Sequence, residues 1–213
     1  MIAYAIEAAK KSELFEKIIV STDDKEIAEI AIKYGAEIPF MRPAELSDDF
    51  AGTVPVIAHA IGFCQNLGWK IDNVCCIYPG VPLVREVDIK KVFELIDRKN
   101  GDYFYPITEF PSSIQRALRL LKNGKTEPIF PGNELTRTQD SETAYHDAGQ
   151  FYWGKANAWL YKPNIHASGF GYVIPKWRVV DIDTQEDWER AEIIYAAMNI
   201  LTKADKKEKY NEF

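Results

Sequence analysis

Strand-like and helix-like segments alternate along the first two thirds of this chain, and this alternation restricts the fold more than any other feature. After its first residue, the run NVCCIY (73–78) is continuously apolar, which is typical of a strand buried on both faces. KIIVST, AEIPF and DYFYPIT are further strand candidates, and amphipathic segments with helical spacing lie between them. The pattern predicts an α/β three-layer sandwich in which helices cover both faces of a mostly parallel sheet.

Residues 110–155 interrupt the alternation. SIQRALRLLKNGKTEPIF has an Asn-Gly turn between two extended stretches, which predicts a hairpin, and the sequence after it is polar, aromatic and irregular. So long an excursion from a compact domain is usually a functional lid or an oligomer arm. We expect the core pattern to resume at AWLY (158–161) and to end with the strand RVV (178–180) and the helix after it, within one domain over residues 1–202. Residues 203–213 are charged and predict a flexible tail.

Composition excludes several classes of function. The chain has 213 residues and a net charge of −6, without a basic stripe interleaved with aromatic residues, so a nucleic-acid partner is not expected. No apolar run approaches about 18 residues and no signal-peptide pattern is present, which predicts a cytoplasmic protein without a membrane span. Three cysteines, two of them adjacent, indicate reduced core thiols.

Two carboxylates, Asp181 and Asp183, follow the predicted strand RVV. Side chains alternate along a strand, so these two point to the same side and can converge. One hypothesis is a divalent cation site, because Mg²⁺ prefers hard oxygen ligands and takes one or two protein carboxylates. The alternative is that both are solvated residues favoured before a helix by its dipole. Thr184 and Asp187 have the spacing of a capping box.

Three segments in order carry a family resemblance. IIVSTDDKEIAEIAIKYGAEIPFMRPAELSDD (18–49) and DIDTQEDW (181–188) resemble the CMP-sugar cytidylyltransferases that activate sialic acid and related nonulosonic acids. YHDAGQFYWG (145–154) is most similar to the pseudaminic acid branch. The resemblance covers nearly the whole chain except the tail. It implies a Rossmann-like nucleotidyltransferase sheet with a protruding dimerisation arm.

The implied reaction is a nucleotidyl transfer. The anomeric hydroxyl of a nine-carbon sugar acid attacks the α-phosphate of CTP, and CMP-sugar and pyrophosphate leave. Asp181 and Asp183 would hold Mg²⁺ (or Mn²⁺) on the phosphate oxygens. The resemblance implies CTP, a nonulosonic acid and a second copy of the chain, in a homodimer, as partners.

The resemblance also implies roles for other positions. It assigns Ser21, Thr22, Asp23 and Arg42 to the nucleotide. The alternatives are that Asp23 is a helix cap, since Asp23 or Asp24 precedes KEIAEIAIKYG, and that Arg42 is an ordinary surface arginine.

On the sugar side the resemblance implies Tyr78, Arg137, Gln150 and Tyr152. Arg137 would reach the sugar carboxylate of the partner subunit, where an arginine fork suits a carboxylate. The alternatives are a solvated arginine and a purely structural aromatic cluster, of which only alternate members reach the site. A hydrogen-bonded structural role is expected for His146. His59 and His166 carry no signal.

This chain departs from the family at two places. The family opens with a strand and a Gly- and Arg/Lys-rich loop of the type I-P-A-R-G-G-S-K, which cradles the triphosphate. MIAYAIEAAK aligns only after that loop, either because translation is assigned to an internal methionine or because the protein is genuinely shorter. We therefore expect unpaired strand edges, an exposed apolar groove, low stability and little activity. YPGVPLV (78–84) also differs, which leaves the exact sugar open.

Two other functions remain as alternatives. A GT-A glycosyltransferase also uses D-x-D with a metal, but its motif is typically followed by more sequence than one helix and a tail. A truncated, non-catalytic subunit that dimerises or binds sugar is the second alternative.

Overall fold

A five-stranded sheet lies between two layers of helices in the computed structural model of this protein. The structure describes residues 1–133 and 136–211, and only the backbone of Thr138 and residues 201–211. The helices are α1 (Ile2–Ser12), α2 (Lys25–Lys33), α3 (Thr53–Asn66), α4 (Glu86–Arg98), α5 (Ala156–Tyr161) and α6 (Gln185–Asn211). The strands are β1 (Asn73–Ile77), β2 (Tyr103–Glu109), β3 (Leu118–Leu120), β4 (Thr126–Pro128), β5 (Tyr145–Asp147), β6 (Phe151–Lys155) and β7 (Gly169–Val173).

The sheet is mixed, and most of its pairings are antiparallel. β6 pairs antiparallel with both β1 and β2, β5 pairs antiparallel with β2, and only β7 runs parallel to β2. The prediction of a mostly parallel sheet is therefore wrong, whereas the α/β class is confirmed. The difference comes from β5 and β6, which belong to the stretch that interrupts the βα alternation. They return to the sheet without the crossover helix that a parallel pairing needs.

Three other predicted strands differ from the structure. KIIVST and AEIPF meet in a single parallel bridge between Ile19 and Glu37 rather than in a ladder. RVV lies in a 3₁₀ turn (Lys176–Arg178) and the extended backbone after it. A short apolar run of this kind has no periodicity that separates a strand from a buried turn of helix. AWLY, the segment at which the core pattern resumes, lies in helix α5.

The two helix layers confirm the predicted sandwich. β2 supplies Phe104 to a core cluster with α1 and α4, and it supplies Tyr103 and Tyr105 to a second cluster with α3 and α5. This division follows from the alternation of side chains along a strand. A hydrogen bond also connects the sheet to α4, because the Nε1 of Trp153 donates to the carbonyl of Ile89 at 3.2 Å.

The predicted hairpin is present as β3 and β4, in register from Leu118 opposite Pro128 to Leu120 opposite Thr126. Gly124 of the Asn-Gly turn has a φ of 83°, which only glycine adopts without strain. The predicted dimerisation role of this arm stays a prediction.

α6 begins at the predicted capping box and continues to Asn211. The predicted tail (203–213) ends in two residues outside the described part of the chain, and its flexibility stays a prediction. Among the helices that the structure describes, none is long and apolar enough to cross a membrane.

Replacing Trp159 of α5 tests how much this residue contributes to the second core cluster, the one that contains Tyr103 and Tyr105. The residue is 0% exposed, its Nε1 donates to the carbonyl of Val74 at 3.2 Å, and its ring lies where a Cβ on Gly154 would be. We expect Trp159→Ala to lower the free energy of unfolding by about 3–5 kcal/mol, because it leaves a cavity and an unpaired carbonyl. Urea denaturation measures this loss. Tyr161→Ala, at a 77% exposed position of the same helix, is the control and should change stability by less than about 0.5 kcal/mol. Equal effects would contradict the packing role of Trp159.

Candidate functional site

The segment that leads to Asp181 is held by buried polar contacts instead of a strand ladder. The guanidinium of Arg178 forms a buried ion pair with both carboxylate oxygens of Asp88 on α4. The Nε2 of Gln150 donates to the carbonyl of Arg178 at 2.9 Å. The hydroxyl of Thr108 donates to the carbonyl of Ile174 at 3.0 Å. The segment is thereby attached to α4, to β2 and to the residue before β6.

Asp181 and Asp183 are exposed, and Ile182 between them is half-buried. This alternation puts both carboxylates on the solvent side of the extended backbone. Across the described residues, neither carboxylate has a side-chain hydrogen bond or ion pair.

Asp187 caps α6 in their place. Its Oδ2 accepts from the N–H of Thr184 at 3.0 Å and from the Thr184 hydroxyl at 2.6 Å. The N–H of Asp187 donates back to the Thr184 hydroxyl at 3.2 Å, which confirms the predicted capping box. These hydrogen bonds from Thr184 hold the pKa of Asp187 below its usual value. The exposure of Asp181 and Asp183 agrees both with a cation site and with solvated residues favoured by the helix dipole, so the metal role of the two residues stays a prediction.

The donor set of Asp181 and Asp183 fits Mg²⁺. In residues 1–133 and 136–211, no three His, Cys, Asp or Glu side chains cluster as a complete metal site. Mg²⁺ does not require one, because it commonly takes two carboxylates and completes its shell with water and substrate phosphate. Two unengaged carboxylates on one side of an anchored segment match that requirement.

A second polar cluster forms where Ser21 and Thr22 meet Arg42. The N–H of Arg42 donates to the carbonyl of Thr22 at 2.8 Å, and its Nη2 lies 3.3 Å from Oδ1 of Asp23. Its Nε donates to the hydroxyl of Ser47 at 3.1 Å. The guanidinium is thus oriented from two sides. Arg42 is therefore half-buried and engaged, and its assignment to the nucleotide stays a prediction.

Asp24, and not Asp23, caps α2. The Oδ1 of Asp24 accepts from the N–H groups of Glu26 and Ile27 at 2.7 and 3.0 Å. Asp23 instead pairs with Arg42. The helix-cap alternative for Asp23 is therefore wrong. The hydroxyl of Ser21 is buried and has no partner within the described chain, so it is available to a ligand.

A cavity of about 700 Å³ brings four of the predicted site residues together: Ser21, Thr22, Arg42 and Tyr78. Its volume lies within the range of ligand sites in proteins. The rest of its lining is mainly apolar and includes residues of α1, α3 and β1. An apolar groove of the kind that was predicted therefore lies beside β1. Asp181, Asp183, Arg137, Gln150 and Tyr152 do not line it.

Tyr78 and Tyr152 connect this cavity to the sheet. Their ring centroids are 5.4 Å apart, and the hydroxyl of Tyr78 lies 2.5 Å from that of Thr53. Tyr152 is on the same face of the sheet as Tyr105, whereas its neighbours Phe151 and Trp153 face the other layer, as the alternation predicted.

Arg137 lies apart from the predicted site residues that line the cavity. Its side chain is 71% exposed, and its Nε donates to Oδ2 of Asp140 in the same stretch at 2.8 Å. In a single chain it is thus a solvated arginine, and its role across a subunit boundary stays a prediction.

Asp147 and His166 were missed as site candidates. The Oδ2 of Asp147 accepts from the hydroxyl of Tyr152 at 2.9 Å and lies 2.7 Å from Nε2 of His166, while its Oδ1 accepts from the N–H of Gly149 at 2.8 Å. Burial raises the pKa of Tyr152, and the charge of Asp147 raises it further, so Tyr152 is a neutral donor. No local pattern could reveal the contact with His166, because the two residues are 19 positions apart.

His146 has the structural role expected of it. Its Nδ1 lies 2.8 Å from the carbonyl of Asp147, and its ring contacts that of Phe110 at 4.8 Å between centroids. It is not among the residues that line the cavity.

Replacing Asp147 tests whether its carboxylate connects Tyr152, Gly149 and His166. We expect Asp147→Ala to lower the free energy of unfolding by about 1–3 kcal/mol, because the Tyr152 hydroxyl and the Gly149 N–H lose their acceptor. Urea denaturation of the single variants and of Asp147→Ala/Tyr152→Phe measures the coupling, and the double variant should cost less than the sum. Asp140→Ala, which removes an exposed ion pair, is the control, with an expected cost of about 0–1 kcal/mol. If the effects of the two single substitutions on the free energy of unfolding added exactly in the double variant, the coupling between Asp147 and Tyr152 would be contradicted.

Known proteins similar to this chain include cytidylyltransferases. The family described as "Cytidylyltransferase" matches residues 1–211. A pseudaminic acid cytidylyltransferase from Campylobacter jejuni is 40% identical over 200 residues, which are 92% of this chain and 84% of the relative. An N-acylneuraminate cytidylyltransferase from Escherichia coli is 27% identical over 203 residues, 93% of this chain and 46% of the relative.

Two solved structures share the fold. One is a CMP:2-keto-3-deoxy-manno-octonic acid synthetase complexed with CTP, with a TM-score of 0.64, 11% identity, and coverage of 93% of this chain and 87% of the other. The second is a 4-diphosphocytidyl-2C-methyl-D-erythritol synthase from Anaerococcus prevotii, with a TM-score of 0.54, 12% identity, and coverage of 93% and 85%.

Proposed function

Because this chain belongs to the cytidylyltransferase family, we propose that it transfers CMP from CTP to a nonulosonic acid, pseudaminic acid, and releases pyrophosphate. The observation that carries the proposal is the 40% identity, over 92% of the chain, to an enzyme of that stated activity. A glycosyltransferase reaction has no such support.

In this proposal the polar end of the cavity binds the nucleotide. Arg42 supplies a cation that Asp23 and Ser47 already orient, so little side-chain entropy is lost when an anion binds. The unpaired hydroxyl of Ser21 supplies a buried hydrogen-bonding group. Thr22 shapes the backbone beside them, since its carbonyl accepts from Arg42.

Asp181 and Asp183 are the residues that would hold Mg²⁺ or Mn²⁺. When bound, the metal offsets negative charge on the phosphate oxygens. The chain contributes the position of the two carboxylates, which depends on Arg178 and its contacts with Asp88 and Gln150.

Tyr78, Gln150 and Tyr152 are proposed to face the sugar acid. Tyr78 and Tyr152 present phenol groups that Thr53 and Asp147 hold in place, and the Oε1 of Gln150 is buried without a partner in the described chain. In a homodimer of a cytoplasmic enzyme, Arg137 of the second copy would bind the sugar carboxylate with its guanidinium fork.

A pyrophosphate-release assay with CTP and Mg²⁺ tests this proposal. Pseudaminic acid should be used faster than N-acetylneuraminic acid. Asp183→Asn should lower kcat at least about 100-fold, the scale of losing one group that stabilises transition-state charge. Asp187→Asn, which changes a capping aspartate on the same segment, is the matched control and should keep most of the activity.

Three results would contradict the proposal. Release of a nucleoside diphosphate would indicate a glycosyltransferase. Equal rates with both acids would contradict the sugar assignment. Binding of CTP or sugar acid without turnover, in this chain and in a form extended before Met1, would favour the non-catalytic subunit.

A further inference from the structure

One carboxylate outside the proposed metal segment makes three polar contacts on the sheet face that carries Tyr152. Asp147 lies opposite Ile107 of β2, so its side chain shares the face on which Ile107 and Tyr152 pack towards α3 and α5. Its Oδ1 accepts from the N–H of Gly149 at 2.8 Å. Its Oδ2 accepts from the hydroxyl of Tyr152 at 2.9 Å and lies 2.7 Å from Nε2 of His166. An ionised carboxylate can only accept, so the hydrogen of each contact belongs to the partner.

These contacts determine the polarity of the Tyr152 hydroxyl. Its proton points at Asp147. Burial and then the negative charge of Asp147 raise the pKa of the phenol, so the phenol keeps that proton. The phenol oxygen therefore has only lone pairs left for a further partner. Towards a ligand, Tyr152 is an acceptor and not a donor.

The polarity of His166 is determined in the same way. Its Nε2 must donate to Asp147, and in a neutral imidazole the other nitrogen, Nδ1, then carries a lone pair. The His166 side chain is 59% exposed, and Nδ1 has no hydrogen-bond partner in the described part of the chain. The ring stands edge-on to that of Tyr105, with 5.2 Å between centroids, and the side chain of Asn164 accepts from the backbone N–H of His166 at 3.1 Å. The imidazole is thus held with Nδ1 available to a ligand.

Together, Tyr152, His166 and Asp147 form a surface that offers only hydrogen-bond acceptors. Within residues 1–133 and 136–211, no lysine or arginine forms an ion pair with Asp147. Such a surface disfavours a carboxylate, because two acceptors would meet without a hydrogen between them. It suits N–H and O–H groups, and a sugar acid carries donors of this kind at one side and a carboxylate at another.

We propose that Asp147 fixes Tyr152 and His166 as acceptors, and that these two residues bind N–H and O–H groups of the sugar acid and direct its carboxylate elsewhere. Asp147 is then a positioning residue, and His166 is a substrate-binding residue that contributes to specificity. The inference rests on the proposed function, in which Tyr152 faces the sugar.

Asp147→Asn tests the polarity because the N–H of Gly149 fixes the orientation of the new amide. That backbone N–H can only donate, so the amide oxygen stays opposite it and the NH₂ group takes the place of Oδ2. The amide hydrogens then point at Tyr152 and His166, which must turn their own protons outward. The phenol becomes a donor, and the imidazole becomes the Nδ1–H tautomer. One nearly isosteric substitution thus inverts both ligand-facing groups.

Imidazole ¹⁵N spectra of the ligand-free protein measure this polarity without a substrate. At about pH 8.5, above the ordinary pKa of a histidine side chain of about 6.5, we expect the neutral Nε2–H tautomer of His166 in the wild type. In Asp147→Asn we expect the Nδ1–H tautomer. Pseudaminic acid added to Asp183→Asn in the presence of CTP should shift the Nδ1 signal of His166, because Nδ1 accepts a hydrogen bond from the sugar.

The pyrophosphate-release assay measures the consequence for the sugar. Asp147→Asn should raise KM for pseudaminic acid about 10- to 100-fold and leave KM for CTP within about twofold, because only the sugar meets donors where it requires acceptors. Tyr152→Phe removes an acceptor without adding a donor and should raise KM for the sugar less. In Asp147→Asn/Tyr152→Phe the opposing donor is gone, so KM should be lower than in Asp147→Asn alone. A merely structural role of Asp147 predicts the opposite order.

Asp102→Asn is the matched control. The Oδ2 of Asp102 also accepts from two partners, the ammonium of Lys162 and the hydroxyl of Ser168, both at 2.7 Å. Both partners lie in the connection between α5 and β7, which also contains His166. This substitution should leave the His166 tautomer and both KM values unchanged.

Three results would overturn the inference: an Nδ1–H or doubly protonated His166 in the wild type, the same tautomer in the wild type and Asp147→Asn, or a KM in the double variant at or above that of Asp147→Asn. A failure of the proposed function is distinguishable. In that case no sugar acid would yield pyrophosphate, while the ¹⁵N spectra would still report the tautomers and the contact with pseudaminic acid. An unchanged Nδ1 signal on addition of that acid would overturn the substrate-binding role of His166.

Discussion

The buried ion pair between Arg178 and Asp88 determines where the carboxyl-terminal part of this protein lies. Both side chains are almost inaccessible, at 5% and 6% exposure. Separating them would leave an uncompensated charge in the interior, which typically costs 3–5 kcal/mol, about the size of a large single-site effect. The pair therefore holds the segment before α6 against α4, and Gln150 holds the same segment by its backbone. Within the described residues no strand ladder reaches Asp181 and Asp183, so these two contacts, together with the Thr108–Ile174 hydrogen bond, determine where both residues lie.

The polar and the apolar residues that line the cavity lie in different parts of it. Its polar end contains Ser21, Arg42 and Tyr78, at the carboxyl ends of two parallel-running edges, which is where α/β sheets commonly bind ligands. The rest of its lining is mainly apolar and comes largely from α1, α3 and β1.

Local signals in the sequence were reliable, and inferences about long-range pairing were less so. The Asn-Gly hairpin, the Thr184–Asp187 capping box and the buried strand at β1 all follow from residues within a few positions of each other. The antiparallel direction of β6 and the helical state of Trp159 do not. An apolar run indicates that a segment is buried, but it does not indicate which strand or helix lies next to that segment or in which direction the neighbour runs.

The sequence by itself determined the α/β class, the family and the list of polar residues that carry the proposed chemistry, since these depend on residue type and spacing. Tertiary structure alone decided which of those residues meet. It grouped Ser21, Thr22, Arg42 and Tyr78 around one cavity and left Arg137 in solvent. It also joined His166 to Asp147 across 19 positions. The reason is physical: spacing along the chain constrains neighbours within a turn or a strand, whereas distant contacts depend on how whole layers pack and which backbone edges remain unpaired.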